Sequence, residues 1–270
     1  MALIDLRNVS KRFGRLVVLN GVSLAIEEGQ SLVVIGASGS GKSVMLKHIV
    51  GLLKPDEGEV WYDGRRIDEL SSGELDEVRQ DFGFLFQMGA LFDSLSVEDN
   101  VAFPIVEHTH KTPDEIRQIV AQKLAMVGLD GTQKKMPAEL SGGQRKRVAL
   151  ARAIALGPRV ILYDEPTTGL DPIRSDVINE LILKLKHELN VTSVVVTHDM
   201  NSAFKVGDRI VMLHEGKLII DGTPQEIQRS ELPVVRRFVL GEAGDQELEG
   251  LRSSPSEAHA AGGNGRGEPR

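Results

Sequence analysis

Apolar residues along this chain repeat in two rhythms, and the switches between them mark the elements. SLVVI (31–35), RVILYD (159–164) and VTSVVVT (191–197) are near-continuous apolar runs, the pattern of parallel strands buried on both faces. Residues 1–35 hold shorter strand-like pieces punctuated by Gly14, Gly21 and Gly29, which predicts an antiparallel start. EVWYDG (59–64) and DFGFLF (81–86) read as further strands, and DRIVMLHEGKLIIDG (208–222) as a terminal hairpin. In the middle the helical period takes over. Thr112-Pro113-Asp114-Glu115 is a capping box with Pro at the first helical position; Ile116, Ile119, Val120 and Val127 then share a face that Gly128 closes. A helix over about 173–190 joins the second and third apolar runs into a βαβ unit. After Leu240 large apolar residues become scarce, and 241–270 reads as a disordered tail.

The pattern stumbles once, in LSGGQRKRVALARAIA (140–155). Ser141 and Gln144 form a capping box, and from Arg145 onward the stretch is good helix, with Val148, Ala151 and Ala155 at helical spacing. Yet Gly142 and Gly143 sit inside the box, each costing about 0.5–1 kcal/mol relative to Ala in a helix. Either they are a tolerated loop end, or something bulky must approach the bare backbone there.

Composition narrows the options mainly by exclusion. With 41% hydrophobic and 26% charged residues the chain can bury a core. It has no Cys, so a disulfide framework, a thiolate metal site and a thiol nucleophile are all excluded. A net charge of −7 with no basic block argues against a nucleic-acid partner. No apolar run reaches the roughly 18 residues of a membrane span, and no signal or transit peptide precedes the first strand.

The chemistry concentrates at the ends of the apolar runs. GASGSGKS (Gly36, Ala37, Ser38, Gly39, Ser40, Gly41, Lys42, Ser43) fits G-x-x-x-x-G-K-S between a strand and a helix, the phosphate-cradling P-loop. Lys42 is placed to reach the β/γ-phosphates and Ser43 to hold Mg²⁺. Asp164 ends an apolar strand as a second Mg²⁺ ligand; Glu165, freed from the ladder by Pro166, is placed to polarise a water. His198 follows another apolar strand and faces the γ-phosphate, Glu165 or the water. Gln87, after FLF, is a candidate for the Mg²⁺ or water shell. Phe13 either stacks on adenine or is an ordinary core aromatic. Ser141 with the amides of Gly142 and Gly143 makes a second anion cradle at a helix N-terminus.

In order and spacing, GASGSGKS, LFQ, LSGGQ, VILYDEP, TGLD (168–171) and VVVTHD resemble the ATP-binding cassette (ABC) ATPases over about residues 1–240. The resemblance implies the P-loop NTPase ABC ATPase fold, α/β, with a mostly parallel core sheet, an N-terminal antiparallel β subdomain and an inserted helical subdomain over about 88–158. It also implies ATP and Mg²⁺ as ligands and a head-to-tail homodimer. Ser141, Gly142, Gly143 and Gln144 of one protomer would then cap the γ-phosphate held by Lys42 of the other, with Asp171 communicating across the pair. The single copy of each motif fits two half-sites per chain.

Segment 86–109 is unusually apolar for a surface loop, with Met88, Ala90, Leu91, Phe92, Val101, Phe103 and Ile105. It is either a tucked-in satellite core or a groove for a helix of an integral membrane permease. Its GALF…NVAFP…EHT pattern and VVRRFVLGE (234–242) resemble the ATPases of MCE-type lipid transporters, including bacterial maintenance-of-lipid-asymmetry (Mla) systems. Gln144 follows ABC ATPases at large, where several Mla-type proteins have Met. This second resemblance implies a peripheral subunit on the cytoplasmic face of the bacterial inner membrane, driving phospholipid transport, with an MCE-domain protein and a small regulatory subunit as further partners. The competing readings are an importer ATPase for a polar nutrient, a soluble ABC protein and a P-loop kinase. The last leaves LSGGQ without a role.

Overall fold

A computed structural model of the chain describes residues 2–243. They form two compact units, one ending at Ser230 and one beginning at Glu231. The first opens with β1 (Ala2–Phe13) and β2 (Leu16–Glu27), which pair antiparallel. After β3 (Ser31–Ile35) and helix α1 (Lys42–Ile49) come β4 (Glu57–Tyr62) and β5 (Arg65–Arg66), completing a four-stranded antiparallel sheet in the order β2-β1-β4-β5. Helix α2 (Ser72–Arg79) leads to β6 (Phe82–Leu85). Helices α3 (Val97–His108), α4 (Pro113–Met126) and α5 (Gly142–Ala153) then separate β6 from β7 (Val160–Asp164). The chain continues through α6 (Pro172–Leu189), β8 (Thr192–Thr197), α7 (Met200–Val206), β9 (Arg209–His214), β10 (Lys217–Gly222) and α8 (Pro224–Gln228). The second unit contains α9 (Pro233–Leu240). The expected tail lies, from residue 244 on, outside the described residues.

The central sheet has six strands in the order β10-β9-β3-β8-β7-β6, parallel throughout except for β10. The near-continuous apolar runs are its inner strands: every residue of β3, β7 and β8 is buried. Alternate residues serve opposite faces. Leu32 and Val34 of β3 join a core with Met45, Leu46 and Ile49 of α1 and Ile4, Leu6 and Leu24 of the antiparallel sheet. Packing from both sheets thus fixes α1, and with it the turn that precedes it.

Two sequence expectations change here. Segment 86–109 is not simply a loop, because 97–108 form α3. Ser96 caps α3 through the Asp99 amide at 3.1 Å, and the helix carries Pro104 within it. Buried Asn100 ties the start of α3 to the preceding loop: its side chain donates to the carbonyls of Phe92, Leu95 and Ser96 and accepts from the Phe92 amide. Nor is the hairpin terminal. Thr223 and Glu226 form a capping box with Pro224 at the first turn, and α8 follows. The capping box at Thr112 is present with both arms, Thr112 N–H to Glu115 Oε2 at 2.7 Å and Glu115 N–H to Thr112 Oγ1 at 3.4 Å.

One close approach ties the helical segment to the sheet. A Cβ on Gly83 in β6 would lie 2.5 Å from the Ala153 carbonyl oxygen at the end of α5. Neither backbone can yield cheaply, so Gly83→Ala should lower unfolding free energy by about 1–3 kcal/mol, read as a lower urea midpoint.

Candidate active site

Parallel pairing brings four strand ends to one edge of the sheet. Ile35 pairs with Thr197, Val196 with Asp164, and Tyr163 with Leu85. The turn after β3, His198 after β8, the acids at the end of β7 and Gln87 beyond β6 therefore emerge side by side, where open α/β sheets bind ligands. They line a cleft of about 450 Å³ whose walls include Phe13, Ser38, Lys42, Gln87, Glu165 and His198.

The turn Gly36–Ser43 is shaped by two glycines. Gly36 (φ 152°) leaves no space for a Cβ, which would lie 2.3 Å from the Leu213 carbonyl oxygen. Gly41 (φ 104°) is the N-cap of α1, and a Cβ there would lie 2.8 Å from the Val18 carbonyl oxygen. No side chain caps α1, so its first-turn amides and its dipole face the cleft without a protein acceptor. The Ser40 hydroxyl is buried and has no hydrogen-bond partner among the described residues. A bare helix end and an orphaned hydroxyl in one loop suit a phosphate.

Lys42 is buried, and its ammonium donates to the carbonyls of Gly36 (2.8 Å) and Ala37 (2.9 Å), 4.0 Å from Glu165 Oε1. Burial pulls its pKa down against the opposing pull of Glu165 and Asp164. Asp164 accepts the Ser43 hydroxyl at 2.8 Å. Burial raises its carboxyl above the usual carboxylate range, while the Ser43 bond works the other way. Lys42 and the two acids lie close enough to offset part of each other's burial cost.

Glu165 holds the left-handed backbone (φ 50°), a conformation that costs a non-glycine residue about 1–2 kcal/mol. Its N–H donates to the Val196 carbonyl at 2.9 Å, extending the β8 ladder by one bond, before Pro166 ends it. The turn aims the carboxylate into the cleft. There Oε2 accepts the Thr168 hydroxyl at 3.0 Å and lies 2.8 Å from His198 Nδ1. Phe13 stands at the cleft wall, 48% exposed, so it is not a core aromatic.

The second set of predicted residues does not line this cleft. Ser141 is exposed and caps α5, its hydroxyl accepting the Gln144 amide at 3.3 Å while Gln144 Oε1 accepts the Ser141 amide at 3.0 Å. Gly142 and Gly143 have helical backbone, and added Cβ atoms would meet Leu170 and Arg174 side chains only at 3.8 Å, an ordinary contact. Asp171 caps α6 by accepting the Arg174 amide at 3.0 Å.

One residue escaped the sequence reading. Lys146 of α5 is 7% exposed, and its ammonium donates to the carbonyls of Pro166 (2.7 Å) and Glu165 (3.3 Å). In Arg145-Lys146-Arg147 it reads as one of three solvated cations. The available signal was its spacing: three residues after Gly143 and three and four before Ala149 and Leu150, all buried.

The chain is similar to known proteins along most of its length. The family described as "ABC transporter" matches residues 19–168. The intermembrane phospholipid transport system ATP-binding protein MlaF of Haemophilus influenzae is 46% identical over 241 residues, covering 89% of this chain and 91% of that protein. The "Probable ribonucleotide transport ATP-binding protein mkl" of Mycobacterium tuberculosis is 46% identical over 238 residues, covering 88% of this chain; the chain spans 66% of that longer relative. Among solved structures, the dimeric MJ0796, a bacterial ABC transporter cassette, superposes with a TM-score of 0.77 at 38% identity, over 82% of this chain and 98% of that one. The chain belongs to the ABC transporter family, and its fold is that of the family's nucleotide-binding ATPase cassette. Within that family it is of the MlaF type.

Lys42→Ala removes the one ammonium aimed at the phosphate cradle. Nucleotide affinity, measured by fluorescent-nucleotide titration, should fall by about 10–100-fold, the loss of a charge-assisted contact of about 1.5–3 kcal/mol.

Proposed function

We propose that this protein is the ATP-hydrolysing subunit of a phospholipid transporter, acting as a head-to-tail pair. The observation that carries the hydrolytic part is the cleft itself, where a P-loop, Glu165, a histidine and Gln87 meet at four adjacent strand ends, with Asp164 bonded to Ser43 beside it. The amides of Gly39, Ser40 and Gly41 and the α1 dipole cradle the phosphates, with Lys42 reaching the terminal pair. Ser43 and Asp164, already hydrogen-bonded to each other, are the groups that would hold Mg²⁺. Bound there, such an ion would neutralise phosphate charge. Glu165, oriented by His198 and Thr168, takes the general-base role, and Phe13 stacks on the base.

The paired glycines support the dimer. Nothing within the chain requires Gly at 142 or 143, since a Cβ at either meets no atom closer than 3.8 Å. Two poor helix formers at the start of α5, Gly142 half-buried and Gly143 buried, are then accounted for by a contact from outside the chain. A nucleotide seated on the neighbouring protomer supplies it, with Ser141 and the first amides of α5 as the second cradle and Asp171 at the contact. The solved MJ0796 cassette is dimeric, in keeping with this.

Transport rests on a surface groove. Phe84, Phe86, Phe92, Phe103, Pro104 and Arg152 line a mostly apolar depression of about 340 Å³. Of the apolar residues in 86–109, Val101 and Ile105 enter the core, whereas Met88, Phe92 and Phe103 remain exposed. Phe92 packs on Phe103 at 4.8 Å between ring centroids, and Arg152 covers the Phe92 ring. A permease helix seated in this groove would provide the coupling to transport. The near end-to-end match to MlaF supports phospholipid as cargo, with the protein peripheral on the cytoplasmic face of the inner membrane. The mycobacterial relative's name favours ribonucleotide as the competing cargo.

Affinity purification from membranes tests both points. The wild type should bring down a permease together with an MCE-domain subunit, and Phe103→Glu should lose both while its ATP affinity stays unchanged. A soluble nucleotide-binding receptor in their place would overturn the lipid reading.

A further inference from the structure

The buried ammonium of Lys146 has no part in the site described above. It comes from α5, the helix that Ser141 caps, and reaches across to the turn after β7. Its neighbours in sequence do different work: Arg145 donates to the Leu140 carbonyl, and Arg147 to the carbonyls of Val127 and Gly128. Lys146 alone of the three points at the catalytic turn. No ion-pair partner faces it among the described residues, and only backbone carbonyls receive it at hydrogen-bond distance.

Those carbonyls belong to Glu165 and Pro166, the residues that form the left-handed turn. A left-handed glutamate persists only where its surroundings over-determine it. Here the peptide is pinned on both sides. The Glu165 N–H donates to the Val196 carbonyl of β8; the Glu165 carbonyl accepts both the Thr168 amide and Lys146, each at 3.3 Å, and the Pro166 carbonyl accepts Lys146 at 2.7 Å, its shorter bond. Release on the Lys146 side would let the turn relax toward the right-handed region, swinging the carboxylate away from His198, Thr168 and the cleft. Burying a cation is costly unless its hydrogen bonds are used. Its pKa, pushed down to about 8 by burial and partly restored by the Glu165 charge, records that cost.

We propose that Lys146 is a positioning residue: by clamping the Glu165 and Pro166 carbonyls it holds the left-handed turn that aims the general base. The inference rests on the proposed role of Glu165 and goes beyond it by naming what keeps that side chain in place.

The test is steady-state ATP hydrolysis by the full chain carrying Lys146→Met, which keeps the volume and removes the donors. The expected result is a kcat lower by about tenfold or more, since small misplacements of a catalytic group have large effects on rate. KM for ATP should stay within about twofold, because the phosphate cradle is untouched. Lys146→Gln, which keeps one donor, should recover part of the rate. Added to Glu165→Gln, Lys146→Met should cause no further loss in single-turnover rate, as expected for two groups acting as one unit. A wild-type kcat in Lys146→Met overturns the inference, as does an equal loss on the Glu165→Gln background. If thermal melting shows that Lys146→Met does not fold, Lys146→Gln decides alone, and full activity in it overturns the inference. Full turnover by Glu165→Gln itself would instead overturn the role given to the base.

Discussion

Everything in this molecule depends on the in-register ending of four parallel strands. β3, β8 and β7 are buried on both faces and β6 pairs in register with β7, so a slip of one residue would turn side chains into the wrong layer and move a functional group with them. Packing therefore fixes where the phosphate turn, the histidine, the two acids and Gln87 emerge. The ladder extends one bond past the strand, from the Glu165 amide to the Val196 carbonyl, before the chain turns into its left-handed conformation. Strain is introduced only where the fold is already rigid enough to hold it.

The cleft concentrates charge where water is scarce. Lys42 and Asp164 are each pushed toward neutrality by burial, and each is partly compensated by the other's neighbourhood. Lys42 spends its donors on two carbonyls and Asp164 takes the Ser43 hydroxyl, which offsets part of the burial cost. The start of α5 at Ser141 lies outside this balance. Ser141 is exposed and boxed with Gln144, and added Cβ atoms at Gly142 and Gly143 would meet Leu170 and Arg174 only at 3.8 Å.

Much of this was legible in the sequence because the signals were local. Three apolar runs gave the inner strands, and G-x-x-x-x-G-K-S followed one of them; the acids and the histidine ended the other two. Capping boxes at Thr112 and Ser141 gave helix starts to the residue. What escaped was non-local or masked. Pro104 concealed α3, whose start is tied to the preceding loop by the hydrogen bonds of Asn100. The α8 box at Thr223 lay beyond what looked like a closing hairpin. Lys146 was hidden between two arginines, and its target sits about twenty residues downstream on another element, a contact that periodicity alone could bound but not identify. Phe13 could be read either way until its exposure at the cleft wall was known.

The central claim is that nucleotide is held between two copies, each completing the other's half-site. The most direct measurement is the molar mass of Glu165→Gln in solution, by light scattering, with saturating ATP and Mg²⁺ and again after nucleotide removal. The account predicts a dimer carrying two nucleotides that falls apart to monomers when ATP is withdrawn, and no such dimer when Gly142 is replaced by Leu. A chain that stays monomeric at full nucleotide occupancy, while the wild type hydrolyses ATP at a rate independent of protein concentration, would contradict it.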